Sequence, residues 1–146
     1  MSYRHPRARR LAVVLDLNRR EEQDALRRWG DIEQRLNAER DKRTQLQGYA
    51  QDYRLQITTP TDHAVSAGHI HNSLEFISQI ESALTQQDTQ LAQLEAQSNK
   101  ARQAYLEIHN KVDAMEKMID RLEQEFQNDF NRREQREADE WANRRR

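Results

Sequence analysis

Apolar residues recur every third and fourth position along most of this chain. From Leu11 to Ile57 a seven-residue repeat holds without interruption. One set is Leu15, Glu22, Trp29, Leu36, Arg43, Ala50 and Ile57. The other is Leu11, Asn18, Ala25, Ile32, Glu39, Leu46 and Tyr53. A second repeat runs from Ile70 to Phe126. Its first set is Ile70, Ile77, Leu84, Leu91, Ser98, Tyr105, Val112, Ile119 and Phe126. Its second is Ser73, Ile80, Gln87, Leu94, Ala101, Ile108, Met115 and Leu122. Sustained a/d heptads predict a coiled-coil seam, and the absence of stutters predicts a left-handed supercoil. The seam residues proper are Leu15, Trp29, Ile32, Leu36, Leu46, Tyr53, Ile57, Ile77, Leu84, Leu91, Leu94, Tyr105, Ile108, Val112, Met115, Ile119 and Leu122. Gly30 and Gly48 fall outside the heptad sets, where they cost helix propensity alone.

Between the repeats lies "TTPTDHAVSAGH", Thr58 to His69. Pro60 disfavours helix at Thr59 and removes a backbone donor. The expected elements are a first helix over about 8–57, a loop over about 58–69 and a second helix over about 70–140. Asn72 with Glu75 could cap the second helix, and Ser66 is an alternative start. A short connection makes the helices antiparallel. The fold expectation is therefore all-α, a long antiparallel two-helix coiled coil forming one domain over residues 1–146. A symmetric loop sets Leu36 near Leu91, Trp29 near Ser98, Leu11 near Ile119 and Ile57 near Ile70.

Composition supports this reading. Charged residues make up 34% and hydrophobic ones only 35%, with 3 Gly and 2 Pro, as long helices require and flexible linkers do not. With net charge only -1 and clear periodicity, disorder is disfavoured. The chain has no cysteine, so disulfides, Cys-ligated metals and thiol nucleophiles are excluded; this suits a cytoplasmic protein. The longest apolar run, Leu11 to Leu15, is far short of the ~20 residues of a membrane span. It also falls short of a signal-peptide core, so a soluble, unprocessed chain is expected.

Chemistry is sparse. Three glycines build no phosphate-cradling loop, and neither nucleotide-binding glycine motif occurs. His63, His69 and His71 are close in sequence but sit in or beside the loop, a poor frame for zinc; His109 reads as a surface residue. Carboxylates interspersed with Arg and Lys read as a solvated helical face. No cofactor, metal or catalytic residue is expected.

Three stretches exceed what a hairpin needs. Phe76, Ile80 and Ala83 form a second apolar stripe beside the seam. Val13, Val14 and Leu17 lie off the seam beside Leu11, so that segment is apolar nearly all round. The second helix outruns the first, leaving Phe126, Phe130 and Trp141 to another protein, another copy or the N-terminal arm. Both ends are basic, "SYRHPRARR" and Arg144 to Arg146. Antiparallel helices bring them to one pole, which reads either as a dock for an acidic partner or as solvated tails. Nucleic acid fits worse, because net charge is near neutral and no binding motif is visible.

Four segments resemble the FliJ family of the flagellar type III export apparatus. They are "LAVVLDLNRREEQDALRRWG", "YAQDYRLQI" with its Tyr53-Arg54 pair, "NSLEFISQIESALTQQ" and "REQREADEWANRRR". The likeness covers nearly the whole chain in order and length. It implies a non-enzymatic, monomeric antiparallel coil similar to the central shaft of rotary ATP synthases. It also implies binding to the hexameric export ATPase FliI, to the export gate FlhA and to export chaperones, at the cytoplasmic face of the flagellar basal body. The resemblance puts the gate contact at Phe76, Ile80, Ala83 and Gln87, where Gln87 departs from the ring-bearing residue expected. It puts the ATPase-ring contact at the terminal pole, with Leu11, Val13, Val14, Leu17, Phe126, Phe130 and Trp141 as candidates. The alternatives are a stalk protein of an injection-type secretion system or a dimerising coiled-coil scaffold.

Overall fold

The computed structural model describes residues 3–58 and 67–145. It is an all-α helical hairpin of two long helices packed against each other, α1 over Pro6–Thr58 and α2 over Ala67–Arg144. No heptad position named above is exposed. Long helices of this polarity are held by their buried stripe, because propensity alone leaves isolated helices marginal in water.

The helix ends differ from the sequence expectation. α1 begins at Pro6, where a fixed φ and a missing N–H suit the first helical residue. His5 caps it. Its Nδ1 accepts the Arg7 N–H at 3.0 Å and the Ala8 N–H at 3.4 Å, and its carbonyl accepts the Arg9 N–H at 3.0 Å. These are the orphan donors an N-cap satisfies. α2 begins at Ala67, so Asn72 and Glu75 lie inside it and cap nothing. It continues to Arg144, whose positive charge suits a helix C-terminus. Of the expected loop, Thr58 and residues 67–69 are helical. Residues 59–66, including Pro60, His63 and Ser66, lie outside the described residues.

The chain divides into two compact units. The first comprises residues 1–27 and 103–146. Its core is Ala8, Leu15, Val112 and Ile119, with Leu11, Ala12, Ile108, Met115 and Leu122 packed around it. Ile119 is 1% exposed, so this unit has a fully dry centre. Leu11 and Ile119 share that cluster, as the expected register requires. The buried Asn18 donates from Nδ2 to Met115 Sδ at 2.9 Å. Arg19 pairs with Glu116 at 2.9 Å, and His109 Nδ1 lies 3.4 Å from Glu22 Oε2 while its ring stacks on Tyr105.

The second unit comprises residues 28–102. Its buried cluster is Leu36, Leu91 and Leu94, which again meets the expected register. Ser98 is buried and donates its hydroxyl to the carboxylate of Glu33, one turn beyond Trp29. Gln87 occupies a seam position and donates from Nε2 to the Glu39 carbonyl at 3.1 Å and carboxylate at 3.2 Å. Arginines of α1 meet acids of α2 along one flank: Arg40–Glu95 at 3.2 Å, Arg43–Asp88 at 2.5 Å and Arg54–Glu81.

Two outcomes follow from this packing. Leu91→Ala should cost about 2–5 kcal/mol, read as a lower midpoint in thermal or urea unfolding, because it leaves a cavity in a thin core. Glu39 is the second case. The hydrogen bond from Gln87, then that from Lys42, holds its carboxyl below the ordinary carboxylate range. A folded-state depression contributes stability above the unfolded ionisation range, and this is lost as pH falls through the folded value. Melting temperature should therefore drop on acidification through and below the usual glutamate range. Glu39→Gln should flatten that dependence in a pH series of thermal melts.

Candidate functional site

The candidate stripe on α2 begins at Phe76, in the second unit. Its ring is 43% exposed and lies tilted against Tyr53 of α1, with centroids 4.8 Å apart. Ile77 and Ile80 on either side of the heptad step are buried. The seam thus closes without Phe76, and Tyr53 holds one face of its ring while the remainder meets solvent. Ala83 is half-buried.

The stripe's other members sit differently. Ile80 is buried, and Gln87 is only 8% exposed, with Nε2 tied to Glu39. Steps of four, three and four along a helix alternate between a seam position and its flank. Phe76 and Ala83 take the flank, and Ile80 and Gln87 take the seam. The four residues therefore do not form one exposed surface. Exposed apolar groups elsewhere in this unit are Tyr49, Leu55 and Leu74, which seam periodicity could not single out. Tyr49 and Tyr53, one turn apart in "YAQDYRLQI", were the available signal.

The first unit carries the other candidate residues. Leu11 is half-buried against the Ala8–Ile119 core. Val13, Val14 and Leu17 are exposed, Val13 by 73%. They are chemically the same residues that build the core, left on its outer side. Phe126 is half-buried beneath the N-terminal arm, with the His5 ring edge-on at 6.3 Å. The arm is pinned by the His5 N–H donating to Glu123 Oε1 at 2.9 Å, and by Arg4 Nη1 donating to Gln127 Oε1 at 3.3 Å. Of the three covers open to Phe126 from sequence, the structure uses the arm. Phe130 and Trp141 remain exposed, and Phe130 borders a hollow of about 520 Å³ with Tyr3, Arg4, Arg9 and Phe126. Trp141 is 59% exposed, and the Arg145 guanidinium sits 4.1 Å above its ring, a cation–π contact. His5 was missed as a structural residue; its signal was the proline that follows it.

The ionisable groups serve helix pairing. Arg43 is raised by its hydrogen bond to Asp88, Arg19 is raised by its hydrogen bond to Glu116, and Glu39 is lowered by Gln87. His69 and His71 are exposed, and no group of three metal-ligating side chains occurs among the described residues. No helix among the described residues is long and apolar enough to cross a membrane.

Residues 7–146 match the family model described as the flagellar FliJ protein. Comparisons with curated proteins and with solved structures returned no match. The match spans both helices and both units, including the Phe76 flank, the exposed valines and the aromatic end of α2, and on that ground this chain belongs to the FliJ family of flagellar proteins.

Proposed function

We propose that this protein couples the export ATPase FliI to the export gate FlhA by touching both, and that it assists export chaperones. FliJ proteins are non-catalytic components of the flagellar export apparatus, and this chain is one of them. The observation that carries the gate half of the reading is Phe76, a large ring left partly in solvent although buried isoleucines flank it. A partner that covers Phe76 removes apolar area from water, worth roughly 25 cal/mol per Å². Tyr53 belongs to the same patch because its ring packs against that of Phe76, with centroids 4.8 Å apart. Ala83 borders the patch, whereas Ile80 and Gln87 act through the seam they help close.

The ATPase half rests on the terminal residues Val13, Val14, Leu17, Phe130 and Trp141, all exposed. Leu11 and Phe126 would support them from beneath. The setting is basic, with Arg4, Arg7, Arg9 and Arg10 near one chain end and Arg144 and Arg145 near the other. A ring offering an apolar surface rimmed by acids would suit it, since complementary charge speeds encounter and apolar contact then slows release. The protein would act as a monomer at the cytoplasmic face of the basal body.

Phe76→Ala should weaken FlhA binding and swimming motility while far-UV circular dichroism and melting temperature stay near wild type; a large fall in melting temperature would identify Phe76 as core instead. At the other site, Val13→Asp with Leu17→Asp should abolish co-sedimentation with FliI while sparing FlhA binding. A tight dimer indifferent to purified FliI in sedimentation would favour the scaffold reading over this one.

A further inference from the structure

The arm that covers Phe126 also builds a hollow. Tyr3, Arg4 and Arg9 form one wall and Phe126 and Phe130 of α2 the other, around a space of about 520 Å³. It exists because the arm is pinned back across α2, where the His5 N–H donates to Glu123. Three aromatic rings and two guanidinium groups line it, and no carboxylate does.

The two cations are held but not neutralised. Arg4 Nη1 donates to the Gln127 amide oxygen at 3.3 Å, and Arg9 Nη2 donates to the Arg4 carbonyl at 3.1 Å. Both acceptors are uncharged. Each guanidinium spends one N–H there and keeps others for a ligand. Neither forms an ion pair within 4.0 Å among the described residues. The chain around them adds more positive charge, since Arg4 to Arg10 holds four arginines and no acid. An adjoining hollow of about 220 Å³ shows the contrast. Tyr3 lines it too, but its cation, Arg19, is paired at 2.9 Å with Glu116 of the same lining.

This combination selects an occupant. An apolar group alone would strip water from two charges that have no counter-charge, which opposes binding. A basic group would be repelled, and a bare anion would leave the rings in water. We infer that the Tyr3–Phe130 hollow seats an acidic segment of a partner protein in which an aromatic or aliphatic side chain stands beside a carboxylate. The apolar side chain packs on Phe126 and Phe130, and the carboxylate accepts N–H groups of Arg4 and Arg9. A second copy suits the hollow less. Its exposed Trp141 stands beside Asp139 and Glu140, but Arg145 already covers that ring, and Arg144 and Arg145 would be carried against Arg4 and Arg9. The inference rests on the reading above in placing a partner at the terminal residues, and it adds what that partner must present.

The test needs no ATPase, so its failure strikes the hollow and leaves the Val13–Leu17 surface standing. The probe is a labelled peptide, Glu-Phe-Glu-Phe-Glu, followed by fluorescence anisotropy with the full-length protein. Its counterparts are Lys-Phe-Lys-Phe-Lys and Glu-Ala-Glu-Ala-Glu. The first peptide should bind saturably, and more weakly as salt rises. The lysine peptide should not bind, and the alanine peptide should bind at least about tenfold more weakly, about 1.4 kcal/mol. Phe130→Ala and Arg9→Glu should each weaken binding of the first peptide at least about tenfold, with far-UV circular dichroism unchanged because both side chains are exposed. Trp141→Ala, outside the hollow, should leave the affinity within about twofold, about 0.4 kcal/mol. No saturable binding, equal binding of the glutamate and lysine peptides, or unchanged affinity in both Phe130→Ala and Arg9→Glu would overturn the inference. So would self-association that Phe130→Ala abolishes in the absence of peptide binding, which would make the occupant a second copy.

Discussion

Everything in this protein is arranged around keeping one seam between two helices closed. Two packed helices enclose no third layer, so each seam residue is covered from one direction and the core is narrow. The consequence is visible in burial. Leu15 and Ile119 are almost completely dry, whereas Leu46, Ile57 and Leu84 remain half-buried although they occupy equivalent heptad positions. Long side chains at the edges complete the enclosure, which is why cross-helix arginine–carboxylate pairs are frequent here. Exposed pairs contribute little energy individually, but their stems cover apolar surface and their charges disfavour a shifted pairing.

The polar residues within the seam follow the same logic. Asn18, Gln87 and Ser98 occupy positions where a leucine would bury more apolar area. Each reaches a particular partner on the opposite helix: Met115, Glu39 and Glu33 respectively. Gln87 does this at a cost, because its Oε1 is buried without a hydrogen bond among the described residues. Polar seam residues that bond only in one alignment penalise the others, a means by which coiled coils set register. The agreement of Leu36 with Leu91 and of Leu11 with Ile119 is a register of that kind.

What the seam does not consume is left in solvent, and the two units differ in what that is. The first leaves apolar groups on its outer side and aromatics near the C-terminus. The second leaves the rings of Tyr49 and Phe76 partly in solvent. The chain's family is one of flagellar export apparatus components.

The heptads alone determined the all-α class, the pairing of the two repeats and nearly every buried position, because a period of seven leaves a helix one stripe to hide. Tertiary structure decided what that period cannot express. It turned His5 into a cap and Phe126 into a covered residue, since both depend on an arm folding back across α2. It moved the start of α2 ahead of Asn72. It also split the stripe of Phe76, Ile80, Ala83 and Gln87 between seam and flank. Spacing of four, three and four is shared by a seam and by the surface beside it. Only the position of the opposite helix determines which of those side chains is enclosed and which is left in solvent.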